Sequence, residues 1–448
     1  MSFFRQIFRR RRREAMPFMV RAHYPRELRS WSLLGVALGA VEGGIVGVLV
    51  KNVFQGQVSD PLLNTAVALV TGAPALANMF SFFWASASHG KDKVRFLLGV
   101  QVACMLAILA ISFAPVNALG LLLVVTATIG ARACWAGVTT VRTQVWRANY
   151  PRRIMANMTG RLVTAMALIM GSVGIVLGYA LTHYEDAFRY AYPALALVGL
   201  MGALTYRRMR VRRQKQLLAA ENRVQEHGSS RPGISKMIGV LKADADFRRY
   251  MKLMFMFGSG NLMVLAPLIL ILNDRYQLTQ LNQMLITSSI PLLMMPVFMG
   301  VWARLLDRGH VVHYRSRQAW SFVVTFIVWG AAAVFDQGWL LWLGAALYGI
   351  SKAGGVLGWN LGHHDFATPE LATQYMGTHV TLTGIRGLIA PLVGVWMYDW
   401  MERQAPGAGR LILLLPLALS TTGAIGFVRM SREMRRRERA NSPEATSS

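Results

Sequence analysis

The sequence predicts an all-helical polytopic membrane protein whose twelve spans form two copies of one six-helix unit. Three observations carry this. Hydrophobic residues make up 54% of the 448, charged residues only 15%, and mean hydropathy is +0.37. A soluble chain carries about 25% charged residues, so most of this one is destined for lipid. Twelve segments reach the roughly 20 mainly apolar residues that a spanning helix needs. Finally, residues recur at a fixed offset. Trp84-Ala85 returns 218 positions later as Trp302-Ala303, Pro151 returns as Pro369 and Met158 as Met376, while Leu28-Arg29 matches Phe247-Arg248 at 219. Duplicated membrane halves are the sequence mark of secondary transporters, whose ligand site lies between the halves.

Taken in order, residues 1–29 read as a cytoplasmic basic amphipathic arm. It holds nine arginines, with Phe3, Phe4, Ile7 and Phe8 at helical spacing before the run Arg9 to Arg13, a pattern that suits the surface of anionic lipid. No cleavable signal peptide is visible. The N-terminal bundle, 30–208, contains apolar segments at 31–54, 61–87, 96–114, 118–146, 159–182 and 189–208. A basic linker, 209–249, follows. Its first part, Arg207 to Glu226, has the composition to extend the sixth helix. Gly228 to Gly233 breaks it, and Ile234 to Leu241 forms a short amphipathic helix. The C-terminal bundle, 250–430, has segments at 250–272, 279–304, 317–335, 338–361, 376–400 and 409–429, and a tail occupies 431–448.

Even parity puts both ends on one side. Lys and Arg concentrate there, at Lys91, Lys93 and Arg95, at Arg147, Arg152 and Arg153, and at Arg304, Arg308, Arg315 and Arg317. The opposite loops carry Asp60, Glu185, Asp186, Asp274, Asp336 and Glu402. Cytoplasmic loops retain positive charge, so the termini are expected in the cytoplasm and the protein in a bacterial inner membrane. The net charge of +27 is therefore read as topology, with attraction to anionic headgroups of about 1 kcal/mol per Lys or Arg, and not as nucleic-acid binding. The loop with His363, His364, Asp365 and Glu370 departs from this pattern; repeat and parity place it inside.

The six-plus-six arrangement, basic central loop and shared side for both ends resemble the major facilitator superfamily over about residues 28–430. Its loop motif after helices two and eight is a small residue followed by Asp, Arg, Gly and basic residues. This chain has Ala303-Arg-Leu-Leu-Asp307-Arg308-Gly309 and Ala85-Ser-Ala-Ser-His89-Gly90-Lys91, with alanine for the opening glycine and His89 for the first-half aspartate. Asp307 is placed to accept from helix-end donors and latch neighbouring helices. Helix five reads Gly171-Ser-Val-Gly174-Ile-Val-Leu-Gly178, small residues suited to close packing, without the proline that marks many drug antiporters.

Ionisable groups at membrane depth are functional candidates. Four stand out: Glu42, Arg132, Lys352 and Arg386. The resemblance implies that helices one, four, seven and ten line a central cavity, which places Glu42, Arg132, Asn261 and Lys352 there. The repeat maps Arg132 to within two residues of Lys352, and Glu42 to Asn261. An excess of positive charge attracts an anion; Arg132 suits a planar carboxylate or phosphate, and Lys352 acts as a point charge. Trp135, Trp359 and Asn360 are expected to contact the body of the solute. Glu42 is read as a proton carrier or as a neutralising partner of the two cations, and Arg386 as a supporting residue that snorkels or bonds to backbone carbonyls. The Arg- and aromatic-rich stretch Arg142 to Arg153 reads as an interfacial anchor or a gate.

Cys104 and Cys134 lack disulfide and metal spacing, His363-His364-Asp365 makes a poor metal site, and no ATPase loop is present. No cofactor or metal is expected, nor an enzyme. The expected function is secondary transport by alternating access, proton-coupled through Glu42, of an anionic or zwitterionic organic solute by a monomer. An exporter of amphipathic drugs or lipids, and a non-transporting sensor or scaffold, are the alternatives.

Overall fold

The computed structural model describes residues 18–226, 234–368 and 371–440. The arm before Phe18, the break at Gly228 to Gly233, Pro369, Glu370 and the last eight residues lie outside the described residues, as do the side chains of Arg152 and Arg153. No strand occurs among the described residues.

Among the described residues, twelve helices are long and apolar enough to cross a membrane. Spans 1 to 6 are His23–Phe54, Asp60–Ala87, Lys93–Phe113, Ala118–Asn149, Met158–His183 and Ala187–Tyr206. Spans 7 to 12 are Ala245–Arg275, Gln280–Leu306, Val311–Phe335, Trp339–Asp365, Gln374–Gln404 and Ala408–Ala440. Most apolar segments therefore extend past their expected ends, because polar turns continue the helices beyond the apolar run. Odd-numbered spans run away from the face that carries the termini, here called the terminal face, towards the far face.

The composition of the linker allows span 6 to continue to Glu226, but the span stops at Tyr206. The Asn149 side chain takes up the next backbone groups, donating to Arg210 O and accepting from Arg212 N, both at 2.9 Å. Arg213 then turns through a left-handed φ of 54°. A separate first linker helix covers Gln214–Glu226 and a second covers Ile234–Ala243.

Two close seams join the halves. Span 2 meets span 11 at Gly72, where an added Cβ would sit 2.2 Å from Gly387 O. Span 5 meets span 8 at Gly174, where it would sit 2.4 Å from Ser289 Oγ. The glycines of spans 5 and 11 thus bring helices of opposite halves together, and span 8 carries a π-type turn at Leu285–Ser289 against this seam.

Candidate functional site

Span 1 is not continuous. Its helix runs from Phe18 to Ala40, breaks at Val41-Glu42, and resumes from Gly43 to Phe54, with Glu42 extended at φ −65°, ψ 135°. A break at membrane depth frees carbonyls that lipid cannot satisfy. Two side chains take them: the Tyr192 hydroxyl donates to Ala40 O at 2.8 Å, and Arg132 Nε donates to Val41 O at 2.7 Å. The same guanidinium gives Nη2 to Glu42 Oε2 at 2.6 Å. Glu42 then reaches across to the other half, where Lys352 Nζ lies 3.5 Å from Oε1. One carboxylate of span 1 thus bridges a cation of span 4 and a cation of span 10.

The two cations are held alike. Trp84 Nε1 donates to Ala133 O at 2.7 Å, and Trp302 Nε1 donates to Ile350 O at 2.8 Å. The tryptophans whose recurrence marks the duplication therefore pin spans 4 and 10 immediately beside Arg132 and Lys352. Tyr348 stands next to Lys352 and Glu42. It had no place in the sequence reading, although its position one turn before Lys352 puts it on the same helix face. Exposure separates the three charges. The Arg132 side chain is 7% exposed, Glu42 15% and Lys352 30%, so Lys352 is the most accessible of the three.

The other expected lining residues bond elsewhere and not to these three charges. Asn261 is half-buried; its amide donates to Phe257 O at 3.1 Å and its carbonyl oxygen has no partner. Trp135 packs on Trp31 with ring centres 5.1 Å apart. Asn360 is exposed and bonds its own helix at Val356 O. Trp359 donates to Thr383 Oγ1 at 3.1 Å and lies against His379, so it belongs with Arg386 and away from Arg132. Arg386 donates to Met254 O and, at 3.0 Å, to Thr383 Oγ1.

Beyond Glu42 the far-face end is sealed by polar pairs between the halves. Lys51 meets Asp274 at 3.0 Å, Asn64 donates to Asp399 at 2.7 Å, Asn52 to Gln283 at 3.0 Å and Asn273 to Gln55 at 2.8 Å. Gln283 also donates to Asn273 at 3.2 Å. A cavity of about 400 Å³ has Lys51, Asn64, Asp274 and Asp399 of this seal in its wall, together with Asp60 and Glu402, and none of Glu42, Arg132 and Lys352 lines it.

A buried ionic centre between two six-helix halves, closed at one end, is the arrangement of a carrier. The sequence model of the Major Facilitator Superfamily matches residues 31–391. The chain belongs to the major facilitator superfamily. It is a membrane transporter and not an enzyme. Solved structures share the fold at low identity. A D-xylose-proton symporter matches with TM-score 0.69 and 13% identity over 91% of this chain and 97% of that one. The xylose transporter XylE from E. coli, in a partially occluded inward-open conformation, matches at 0.66 and 11% over 91% and 98%. A structure described for substrate recognition in proton-dependent oligopeptide transporters matches at 0.65 and 12% over 93% and 100%. No curated protein matches the sequence itself.

The superfamily loop motif differs between the halves of this transporter. In the first half it docks on the first linker helix. Glu221 accepts from Gly90 N at 2.8 Å and from Lys93 Nζ at 2.8 Å, and its carbonyl bonds His89 Nε2 at 2.9 Å. Ala85 lies half-buried one turn earlier. In the second half Asp307, Arg308 and Gly309 are exposed. The Asp307 carboxylate makes no hydrogen bond or ion pair among the described residues, so the latch expected there is absent. The carboxylate that caps the next helix is Asp365, which accepts from Val311 N at 2.5 Å.

Arg142 is also not an interfacial anchor. It is fully buried, paired with the equally buried Glu27 at 2.7 Å, and lies over the Tyr206 ring at 4.1 Å. Trp146 donates to the same carboxylate at 2.9 Å. Sequence reasoning missed Glu27 because it precedes the apolar run. The helix that buries it starts earlier, at Phe18.

Proposed function

We propose that this transporter moves an anionic or zwitterionic organic solute by alternating access, with its termini in the cytoplasm of a bacterium and with proton coupling through Glu42. The observation that carries this reading is the sharing of Glu42 between Arg132 of its own half and Lys352 of the other.

In the empty site the carboxylate occupies both cations and holds the halves together at mid-depth. A proton on Glu42 removes that negative charge and leaves Arg132 and Lys352 to an incoming carboxylate or phosphate, which restores the balance. Arg132 offers a planar fork for two parallel bonds, and Lys352 a movable point charge from the opposite half. Solute binding then replaces one cross-half ionic bridge with another, while the far-face pairs Lys51–Asp274 and Asn52–Gln283 open and close. The half-buried Asn261 carbonyl oxygen, left without a partner, is available to a donor such as a solute ammonium. The symporter and the proton-dependent transporters with the same fold lend support to proton coupling.

A thermal-shift screen of the purified full-length protein tests the reading, using carboxylates, phosphates, amino acids, sugars and organic cations. Stabilisation by anions or zwitterions that disappears in both Arg132→Ala and Lys352→Ala is expected. Stabilisation by cations alone, or anion shifts unchanged in both variants, would sink the anion site.

A further inference from the structure

The terminal-face end of the C-terminal half contains a second cluster of charge that the Glu42 site does not use. Arg315 on span 9 and Arg386 on span 11 are each more than nine-tenths buried, as are His363, His379 and Tyr250. The two guanidinium charges act on each other, and His379 feels both as well as His363. The Tyr250 hydroxyl faces Arg315.

Every bond these arginines make goes to a neutral group. Arg315 Nη1 donates to Gln318 Oε1 at 2.7 Å and Nη2 to Gly355 O at 3.2 Å. Arg386 donates to Met254 O and Thr383 Oγ1. Among the described residues no carboxylate lies within ion-pair distance of either. Asp365, whose charge reaches Tyr250, is exposed and bonded to Val311 N. Five buried polar atoms lack a hydrogen bond of good geometry: Nε of Arg315, Nε of Arg386, Nε2 of His379, Nδ1 of His363 and the hydroxyl oxygen of Tyr250, which faces Arg315. Four belong to side chains able to donate towards a negative charge, and the fifth is a hydroxyl.

A buried cation with neutral acceptors but no counter-charge is strongly unfavourable, and two side by side are more so. We propose that a small inorganic anion of halide type binds between Arg315 and Arg386 and supplies the missing charge. The size follows from the packing. A Cβ at Gly258 would lie 2.2 Å from Arg386 Nη1, and one at Gly358 would lie 2.8 Å from Arg315 Cζ. Backbone closes directly on both guanidiniums, which excludes an organic solute or a lipid headgroup. The anion is a fixed part of the C-terminal half and is independent of the solute site at Arg132 and Lys352.

Thermal unfolding of the full-length protein in detergent tests this, with potassium gluconate replaced stepwise by chloride or bromide at constant ionic strength. The expected result is a saturable rise of about 3 °C with either halide, as binding to the folded state alone requires. Gln318→Glu puts a carboxylate on Arg315 with almost no change of shape. That variant is expected to be as stable in gluconate as the native protein is in chloride, and to lose the halide response. Arg386→Met is expected to lose the response as well. The absence of a halide-dependent rise in the native protein, or a rise of native size in Gln318→Glu or Arg386→Met, overturns the proposal.

Discussion

In the N-terminal half, each of the two buried arginines of span 4 has a carboxylate: Arg132 has Glu42 and Arg142 has Glu27. In the C-terminal half, Arg315 and Arg386 have only amide, hydroxyl and carbonyl oxygens, and Lys352 reaches into the other half for Glu42. Span 1 supplies both N-terminal carboxylates. Its counterpart, span 7, has Asn261 where span 1 has Glu42, and at the position of Glu27 it has Asp246, which pairs at the surface with Arg437 at 3.1 Å. The duplication thus kept the helices and the pinning tryptophans but moved the negative charge to one side. A carrier whose halves must separate and rejoin gains from this, because a single carboxylate can be exchanged between a partner at home and one across the gap.

The largest effect expected from breaking this contrast is at Glu27. Removing it strands Arg142 in a fully buried site, so Glu27→Ala should cost about 3–5 kcal/mol of stability. The matching change at Asp246 removes a half-exposed pair and should cost less than about 1 kcal/mol. Thermal unfolding of the two variants compares the halves directly, and equal losses would remove the asymmetry. Next comes solute binding. Each charged contact is worth roughly 1.5–3 kcal/mol, so Lys352→Ala should weaken anion affinity by about 10- to 100-fold in a titration. Arg132→Lys should recover part of the affinity lost in Arg132→Ala while leaving Val41 O less well satisfied.

A smaller effect is expected at the far-face seal. Gln283→Ala removes bonds to Asn52 and Asn273, worth about 1 kcal/mol together, and should raise the labelling rate of a cysteine replacing the buried Thr71, behind the seal, by about fivefold. The smallest lies in the loop after span 2. Asp92 accepts from Val94 N and Arg95 N at 2.9 and 3.0 Å. Burial opposes its charge, but the Arg95 amide, the Gln214 side chain and the Val94 amide prevail and hold its carboxyl below the usual carboxylate range. A carboxyl with a lowered folded pKa stabilises above its unfolded value of about 3.9 and loses that contribution as pH falls through the folded value. Asp92→Ala should therefore lower stability by about 0.5–2 kcal/mol near pH 7 and leave a smaller difference from the native protein at the most acidic pH that still permits folding.

Much of this was legible in the sequence. Twelve apolar runs located twelve spans, because a spanning helix must be apolar for its whole lipid path. Glu42, Arg132 and Lys352 were legible because charge at membrane depth is rare. Their meeting was not, since it depends on the break at Val41-Glu42, and a run such as Val-Glu-Gly-Gly fits a straight helix as well as a kinked one. The pairing of Glu27 was hidden by its place outside the apolar run, and the docking of His89 and Gly90 by the distance of Glu221 in the chain. Arg315 read as a loop charge because span 9 begins earlier, at Val311, than its apolar residues do. In each case a polar turn of helix carried a charge inward, and only packing reveals that.

Glu42 is proposed as the exchangeable bridge between the halves. Spin labels on cysteines replacing the exposed far-face residues Gln57 and Gln337, one on each half, measure its consequence by pulsed electron–electron distance spectroscopy. As pH falls, the native site should show a growing population at the longer distance, as protonation frees Lys352. In Glu42→Gln the longer population should already be present at neutral pH and should not change with pH. A Glu42→Gln protein that keeps the native pH profile would contradict the account.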